Sequence, residues 1–206
     1  MNYYGQYQQD KFIDDYFKYK NNGVFLDVGA ADGIICSNTY FFEKARNYTG
    51  ICVEPATMEF EQLEKNRKCI CVNCAICEIN SEMEFLEIQG EPKGLSGLTK
   101  YYNNLHANRV KNDIKAANTT YVLKTVKTYP LQFILNEYNV FNIDFLSLDV
   151  EGAEFSVLNT IDFNKTKIQL ILLENNYNEN NCRELLSNKG YRFLGRLAID
   201  DVFERI

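Results

Sequence analysis

The stretch VFLDVGAADG, residues 24–33, decides the fold. It begins as an apolar strand, passes through an acid at Asp27 and ends in a turn that contains Gly29 and Gly33. Glycine at both bends lets the backbone come close to a ligand, because no Cβ stands in the way. The stretch therefore predicts the first strand of an open α/β sheet with a ligand at its carboxyl end.

This turn differs from the loops that hold phosphates. The P-loop lysine is absent, and the dinucleotide pattern G-x-G-x-x-G fails because Ala31 and Asp32 stand where its second glycine is needed. An acid before the first glycine repels a pyrophosphate and suits a ligand with an ammonium group, such as S-adenosylmethionine. The loop residues expected to contact this cofactor are Asp27, Gly29, Ala30, Asp32 and Gly33.

Further acids and small residues follow the next two predicted strands. Glu54 closes the second strand 21 residues after Gly33, where a carboxylate can accept hydrogen bonds from both hydroxyls of a ribose. Pro55 ends that strand and aims the Glu54 side chain. At the end of the third strand, Asn73 offers amide groups to an adenine ring and Ala75 leaves room for it.

Apolar β-rich runs alternate with helical stretches along the chain, which indicates a mostly parallel sheet with helices on both faces. The tail YRFLGRLAIDDVFERI predicts an antiparallel hairpin with its turn near Ala198 to Asp201. The sequence thus predicts a Rossmann-like α/β fold with a seven-stranded sheet, the layout of class I methyltransferases. The other predicted elements are sheet strands at 24–28, 50–54, 69–73, 143–150 and 168–174, further strands at 82–88 and 121–128, and helices at 37–45, 58–67, 153–159 and 180–188.

Length and composition limit the class of protein. A chain of 206 residues suits one α/β core, so we expect a single domain, with residues 1–22 covering the cofactor and 90–118 forming an irregular excursion on the acceptor side. No apolar run approaches the roughly 18 residues of a membrane span, and a secretory signal is absent. We expect no membrane partner and a cytoplasmic location, which for a viral chain is the host cytoplasm. A net charge of −6 disfavours nucleic acid as a partner.

Four of the seven cysteines form two overlapping C-x-x-C units, at Cys69, Cys71, Cys74 and Cys77. This spacing allows a zinc or iron–sulfur site. The surrounding text, KCICVNCAIC, favours the alternative, a buried strand in which cysteine acts as a small hydrophobic residue.

A second acidic block follows the fourth strand of the predicted sheet. Asp149 and Glu151 leave an apolar run two residues apart, at the same sheet edge as Asp27 and Glu54. Buried carboxylates are costly unless they are solvated or used, so Asp149 and Glu151 are candidate catalytic residues, with Asp149 also a cofactor contact. Glu154 fits the first turn of the following helix, where the helix dipole favours an acid.

Several motifs occur in one order along the chain: QDKF at 9–12, VFLDVGAADG at 24–33, SNTYFFE at 37–43, EP at 54–55, VNCA at 72–75 and LDVEGAE at 148–154. In this combination the chain resembles the FkbM family of methyltransferases. The resemblance implies O-methyl transfer from S-adenosylmethionine to a sugar, a glycan or another small hydroxylated acceptor. It adds Gln9, Asp10, Ser37 and Asn38 to the expected cofactor contacts.

Three routes to a base for the acceptor hydroxyl remain open. Asp149 or Glu151 can act directly, and His106, the only histidine, has an intrinsic pKa of about 6.5 and lies in the excursion over the cofactor edge. Alternatively, Mg²⁺ held by Asp149, Glu174 and Asn175 can acidify the hydroxyl, as in catechol-type methyltransferases. Otherwise Glu174 and Asn175 bind acceptor hydroxyls.

Two other functions compete with methyl transfer. An NAD(P)-dependent oxidoreductase would use the first 80 residues in a similar way, although Ala31 and Asp32 argue against it. A non-catalytic cofactor-binding protein of the same fold is the other, and the acids gathered at one sheet edge argue against that.

Overall fold

The computed structural model describes residues 2–206. Two single turns of 3₁₀-helix lie at Lys93–Leu95 and Thr99–Tyr101. In chain order the helices and strands are α1 (Gln9–Tyr16), β1 (Val24–Val28), α2 (Tyr40–Ala45), β2 (Thr49–Val53), α3 (Thr57–Asn66), β3 (Ile70–Val72), β4 (Ala75–Ile76), β5 (Ser81–Ile88), β6 (Gly97–Leu98), α4 (Asn104–Ala116), β7 (Tyr121–Tyr129), α5 (Leu131–Glu137), β8 (Asn142–Leu148), α6 (Glu154–Asn159), β9 (Lys167–Glu174), α7 (Asn181–Asn188), β10 (Tyr191–Leu197) and β11 (Asp200–Arg205).

The larger sheet has seven strands in the order β10-β11-β9-β8-β1-β2-β3. Strands β3, β2, β1, β8 and β9 are parallel. Strand β11 runs antiparallel to both β9 and β10, which form its two neighbours. This confirms the predicted mostly parallel sheet that ends in an antiparallel hairpin.

Both faces of this sheet are covered by helices, because each central strand places apolar side chains on both faces. On one face Leu26 and Val28 pack with residues of α5, α6 and α7. On the other face Phe25 and Phe145 pack with Ile13 of α1 and with residues of α2 and α3. Asp27 has the same parity as Phe25, so it lies on the α1–α3 face.

A second sheet has four strands in the order β4-β7-β5-β6. Strands β5 and β7 were predicted, and their long antiparallel pairing joins Ser81–Ile88 to Tyr121–Thr128. The excursion between them is more regular than predicted, since it contains the 13-residue helix α4. Only His106 and Val110 of that helix are buried, so its sequence carries little apolar periodicity.

Other boundaries also differ from the predictions. Strand β8 ends at Leu148, which leaves Asp149 and Glu151 in the following turn. Helix α2 begins at Tyr40 rather than at Ser37, because the Ser37 Oγ accepts the backbone N–H groups of Thr39 and Tyr40. Helices α1 and α5 were not predicted.

The cysteines of the C-x-x-C units belong to different parts of the structure. Cys74 lies in the core of the large sheet and Cys77 in that of the small sheet. Cys69 lies near Cys52, with 3.5 Å between their sulfur atoms. Within residues 2–206 no helix has both the length and the apolar character to cross a membrane.

Candidate active site

A cleft of about 570 Å³ opens over the carboxyl ends of β1, β2, β8 and β9. Strand order reverses between β1 and β8, since β2 and β3 lie to one side of β1 while β8 and β9 lie to the other. Ligands of open α/β sheets bind at such a switch point. We call the part over β1 to β4 the cofactor side and the part over β8 and β9 the acceptor side.

The glycine turn forms the floor of this cleft. Gly29 has φ +88°, and a Cβ there would lie 1.7 Å from the Asp149 carbonyl oxygen. At Gly33, which does not line the cleft, a Cβ would meet Leu63 and Arg67. Both glycines are therefore required by protein packing; Gly29 also lines the cleft, whereas the predicted cofactor contact of Gly33 does not fit its position outside it. Asp32 lines the cleft and also accepts the N–H groups of the next turn.

Glu54 is the best-ordered carboxylate on the cofactor side. It is only 6% exposed, and its oxygens accept N–H groups of Ala31 at 2.9 Å and Ala56 at 2.7 Å. Burial raises its pKa to about 7, against the opposing effect of these two N–H groups. Each oxygen accepts one N–H group only and can accept a further donor, which suits two adjacent hydroxyl groups. Pro55 follows and also lines the cleft.

Asp27 and Asn38 form a second polar group on the cofactor side. Asp27 accepts a hydrogen bond from Thr39 Oγ1 at 2.5 Å, and burial raises its pKa although Arg67 opposes the shift. Asn38 donates to Ser147 Oγ, while its buried Oδ1 has no partner among residues 2–206. Both side chains, with Ala30 and Ser37, line the cleft. The Asp27 carboxylate in this lining suits an ammonium group.

Arg67 was not singled out from the sequence. This buried guanidinium donates to Glu43, Thr39 and the Gly33 carbonyl, and it compensates the Asp27 charge. A lone arginine at the end of a helix carries no motif, so only the three-dimensional packing reveals it.

The far end of the cofactor side is apolar. Ala75, Phe85 and Leu98 line it and belong to one hydrophobic cluster. The loop above it is tied down by an ion pair of 3.2 Å between Lys93 and Glu59. Asn73 does not line the cleft, since its side chain donates to the carbonyl oxygens of Glu54 and Pro55. Asn73 therefore supports the Glu54 turn, which corrects its predicted adenine contact.

Gln9 and Asp10 also lie outside the cleft, contrary to their predicted cofactor contacts. Gln9 bonds Asp200 and the Tyr7 N–H, and the fully buried Asp10 accepts N–H groups of Tyr4 and Lys11. These bonds fix the segment before α1. The residues of this segment that line the cleft are Gln6 and Tyr7.

Three carboxylates gather on the acceptor side: Asp149, Glu151 and Glu174. Desolvation by the surrounding protein, then the nearby Glu174 charge, raises the pKa of the exposed Asp149 and of the buried Glu151 well above the ordinary range. Glu174 has a pKa of about 7, raised by burial and by Glu154. Glu151 adopts φ 55°, a strained conformation for a residue with a side chain, and such strain is typical of functional turns.

His106 lies behind Glu151 and not in a polar loop as predicted. It belongs to α4, is 1% exposed and does not line the cleft. Its Nε2 is 3.7 Å from Glu151 Oε2, and its Nδ1 is 3.3 Å from the Tyr177 hydroxyl. Burial lowers its pKa, so the imidazole is neutral at pH 7.

Of the predicted magnesium ligands, Asp149 and Glu174 come together and Asn175 does not. Asn175 uses its amide for Glu179 and Asp201, so it is not free to bind a metal at the cleft. Oxygens of Asp149, Glu154 and Glu174 lie within 4.8 Å of one another instead. Glu154 is at the start of α6, as predicted, and accepts the N–H groups of Val150 and Gly152.

Comparisons with known proteins agree with this arrangement. The family model for the Methyltransferase FkbM domain matches residues 27–193. Methyltransferase FkbM from Methylobacillus flagellatus KT gives a TM-score of 0.55 at 12% identity, over 98% of this chain and 48% of that one. Precorrin-6y C5,15-methyltransferase from Geobacter metallireducens GS-15 gives 0.50 at 8% identity, over 95% and 87%. Among curated proteins, no sequence matches significantly.

Sheet order and cleft position together define the class, a Rossmann-like protein with the layout of class I methyltransferases. At such low identities the two solved structures show the fold alone, and the chain spans about half of the length of the first. The family model covers most of the sequence. The chain belongs to the FkbM methyltransferase family.

Proposed function

We propose that this protein transfers a methyl group from S-adenosylmethionine to a hydroxyl of a small acceptor such as a sugar or a glycan. The observation that carries the proposal is the buried Glu54 carboxylate, which faces the cleft at the end of β2 with both oxygens fixed by backbone N–H groups. Family membership supports the same activity.

The cofactor side has a polar or apolar surface for each part of S-adenosylmethionine. Glu54 would accept the ribose hydroxyls, and Asp27 with Asn38 Oδ1 would accept the ammonium group. The apolar end near Ala75 and Phe85 would hold the adenine ring. When bound, the cofactor supplies a methyl group on an activated sulfonium.

The acceptor side has to orient a hydroxyl and remove its proton. Glu151 is the base in this proposal, because it lines the cleft, while its buried Oε2 faces His106 and has no donor among residues 2–206. Burial raises its pKa above that of an ordinary carboxylate, which makes it a stronger base. Asp149, at the junction of the two sides, would orient the hydroxyl toward the cofactor.

The charges of the cleft favour a neutral acceptor. Lys93 is paired with Glu59, and Arg109 faces Glu151 and Asp113, so neither cation is free for an anionic group. Among residues 2–206, carboxylates in the lining outnumber cations by nine to two. The nine are Asp27, Asp32, Glu54, Glu59, Glu91, Asp113, Asp149, Glu151 and Glu174.

The same charges weigh against the oxidoreductase alternative, since a pyrophosphate would meet carboxylates rather than hydrogen-bond donors.

Two segments of the chain have roles in this proposal that follow from which of their residues line the cleft. Within residues 90–118, the part from Glu91 to Leu98 would close the adenine end, while Arg109 and Asp113 of α4 would bound the acceptor. Within residues 1–22, Gln6 and Tyr7 would cover the cofactor, and the whole chain would act as one domain. A magnesium ion is not required by this mechanism.

Calorimetric titration of S-adenosylhomocysteine into wild type, Glu54→Ala and Glu64→Ala tests the cofactor. Glu64 is an exposed residue of α3, outside the cleft, and serves as the matched control. We expect micromolar binding that Glu54→Ala weakens at least tenfold and Glu64→Ala leaves unchanged. Binding of NADH in place of S-adenosylhomocysteine would contradict the proposal. Cofactor binding without turnover on any sugar would identify a non-catalytic protein.

A further inference from the structure

His106, the only histidine of the chain, faces Glu151 across a short gap inside the protein. Its Nε2 and Glu151 Oε2 are 3.7 Å apart, and neither has a hydrogen-bond partner among the described residues. Buried polar atoms are costly when unpaired, so two that face each other indicate a pair that closes during function.

The neighbours of His106 select one tautomer of the imidazole. The Tyr177 hydroxyl lies 3.3 Å from Nδ1, and the guanidinium of Arg109 lies at the same hydroxyl. A guanidinium only donates, so Arg109 can use only the oxygen of the Tyr177 hydroxyl, and we assign the hydroxyl proton to Nδ1. Nε2 then carries the ring proton and points it at Glu151 Oε2, where it stabilises the ionised carboxylate that acts as the base.

We propose that His106 is a positioning residue that holds Glu151 in place as an Nε2–H donor, with its tautomer fixed by Tyr177 and Arg109. The chain of donors runs Arg109 to Tyr177 to His106 to Glu151. Its last member lies in the cleft, and His106 does not. This inference rests on the role of Glu151 as base in the proposed function.

The surroundings of His106 exclude a role as the base itself. The edge of the Tyr102 ring packs on the imidazole at 4.5 Å between centroids, and Arg109 on the same helix disfavours an imidazolium. The charged and titratable groups that face the ring are Glu151, Arg109, Tyr102 and Tyr177. A neutral donor under these conditions can orient a carboxylate but does not take up a proton from the cleft.

Because there is one histidine, its two ring nitrogens give the only imidazole signals in a long-range ¹H–¹⁵N spectrum of the full chain. We expect Nε2 in the protonated region and Nδ1 in the unprotonated region at neutral pH. In Tyr177→Phe the two tautomers should mix. A protonated Nδ1 in the wild type would overturn the assignment, and this readout needs no activity.

Turnover measurements then test whether His106 acts on the reaction through Glu151. His106→Gln keeps a side-chain N–H donor, and His106→Leu removes it. We expect His106→Leu to lower kcat about tenfold with little change in KM, and to move the rise of the pH–rate profile to higher pH. In His106→Gln, kcat and the pH–rate profile should be close to those of wild type. Equal kcat values and pH profiles for Gln and Leu would show a packing role and overturn the proposal. If no variant and no wild type turns over, the proposed function fails while the spectrum still decides the tautomer.

Discussion

Replacing Glu54 by Gln is expected to change how the stability of the fold depends on pH. Burial raises the Glu54 pKa from 4.5 to about 7. The folded-state pKa thus exceeds the unfolded one, so the associated stability is present below pH 4.5 and is lost as the pH rises toward 7. At about 1.4 kcal/mol per pKa unit, the loss in wild type is of order 3 kcal/mol.

Glu54→Gln removes this titration but keeps the side-chain shape. The hydrogen bonds that the Gln side chain loses cost the same at every pH, so they do not change how the free energy of unfolding depends on pH. We expect the free energy of unfolding of wild type minus that of the variant to fall by roughly 3 kcal/mol between about pH 4 and pH 8. Urea denaturation at several pH values measures it, with the exposed Glu64→Gln as control. A difference that does not vary with pH would refute the reasoning from burial.

Four further outcomes are expected. Gly29→Ala should cost about 3 kcal/mol or more in urea denaturation and abolish S-adenosylhomocysteine binding, since its Cβ meets the Asp149 carbonyl oxygen at 1.7 Å; unchanged stability would contradict this. Arg67→Met should lower the free energy of unfolding by roughly 3 kcal/mol in urea denaturation, because Asp27 and Glu43 lose their cation. A decrease within the experimental error would count against the buried network. Turnover should persist in EDTA, and activity restored only by Mg²⁺ would reject the metal-free mechanism. A methyl glucuronide should be methylated at least tenfold more slowly than the methyl glucoside, and equal rates would refute the charge argument.

Patterns that depend on neighbouring residues could be predicted from the sequence. The apolar runs of β1, β8 and β9 and the alternating tail specified the large sheet, since burial on one or both faces leaves a direct mark on residue order. Helix α4 left none, because only His106 and Val110 of its residues reach the interior. Its position over the cleft depends on contacts with distant parts of the chain.

The residues of the candidate site also differ in how well the sequence predicted them. Asp27, Glu54 and Asp149 were predicted because strand ends of a parallel sheet share one edge, and all three line the cleft. Asn73 was predicted by the same strand-end argument and Gln9 by resemblance to a family motif, and the structure gives both side chains bonds within the protein instead. Neither a strand end nor a motif shows whether a side chain turns toward a ligand or toward the protein backbone.

The bond between Gln9 and Asp200 spans 191 positions of sequence, and Tyr16 reaches Glu204 across 188. The segment that carries Gln6 and Tyr7 is thus anchored to the hairpin that is translated long after it. During synthesis, the segment that carries Gln6 and Tyr7 cannot form these two bonds until residues 200–204 have been made. Contacts so distant in sequence also slow folding, since a large loop must close first. A nascent chain lacking residues 200–204 should therefore hold the cofactor poorly, even with every residue of the glycine turn already made.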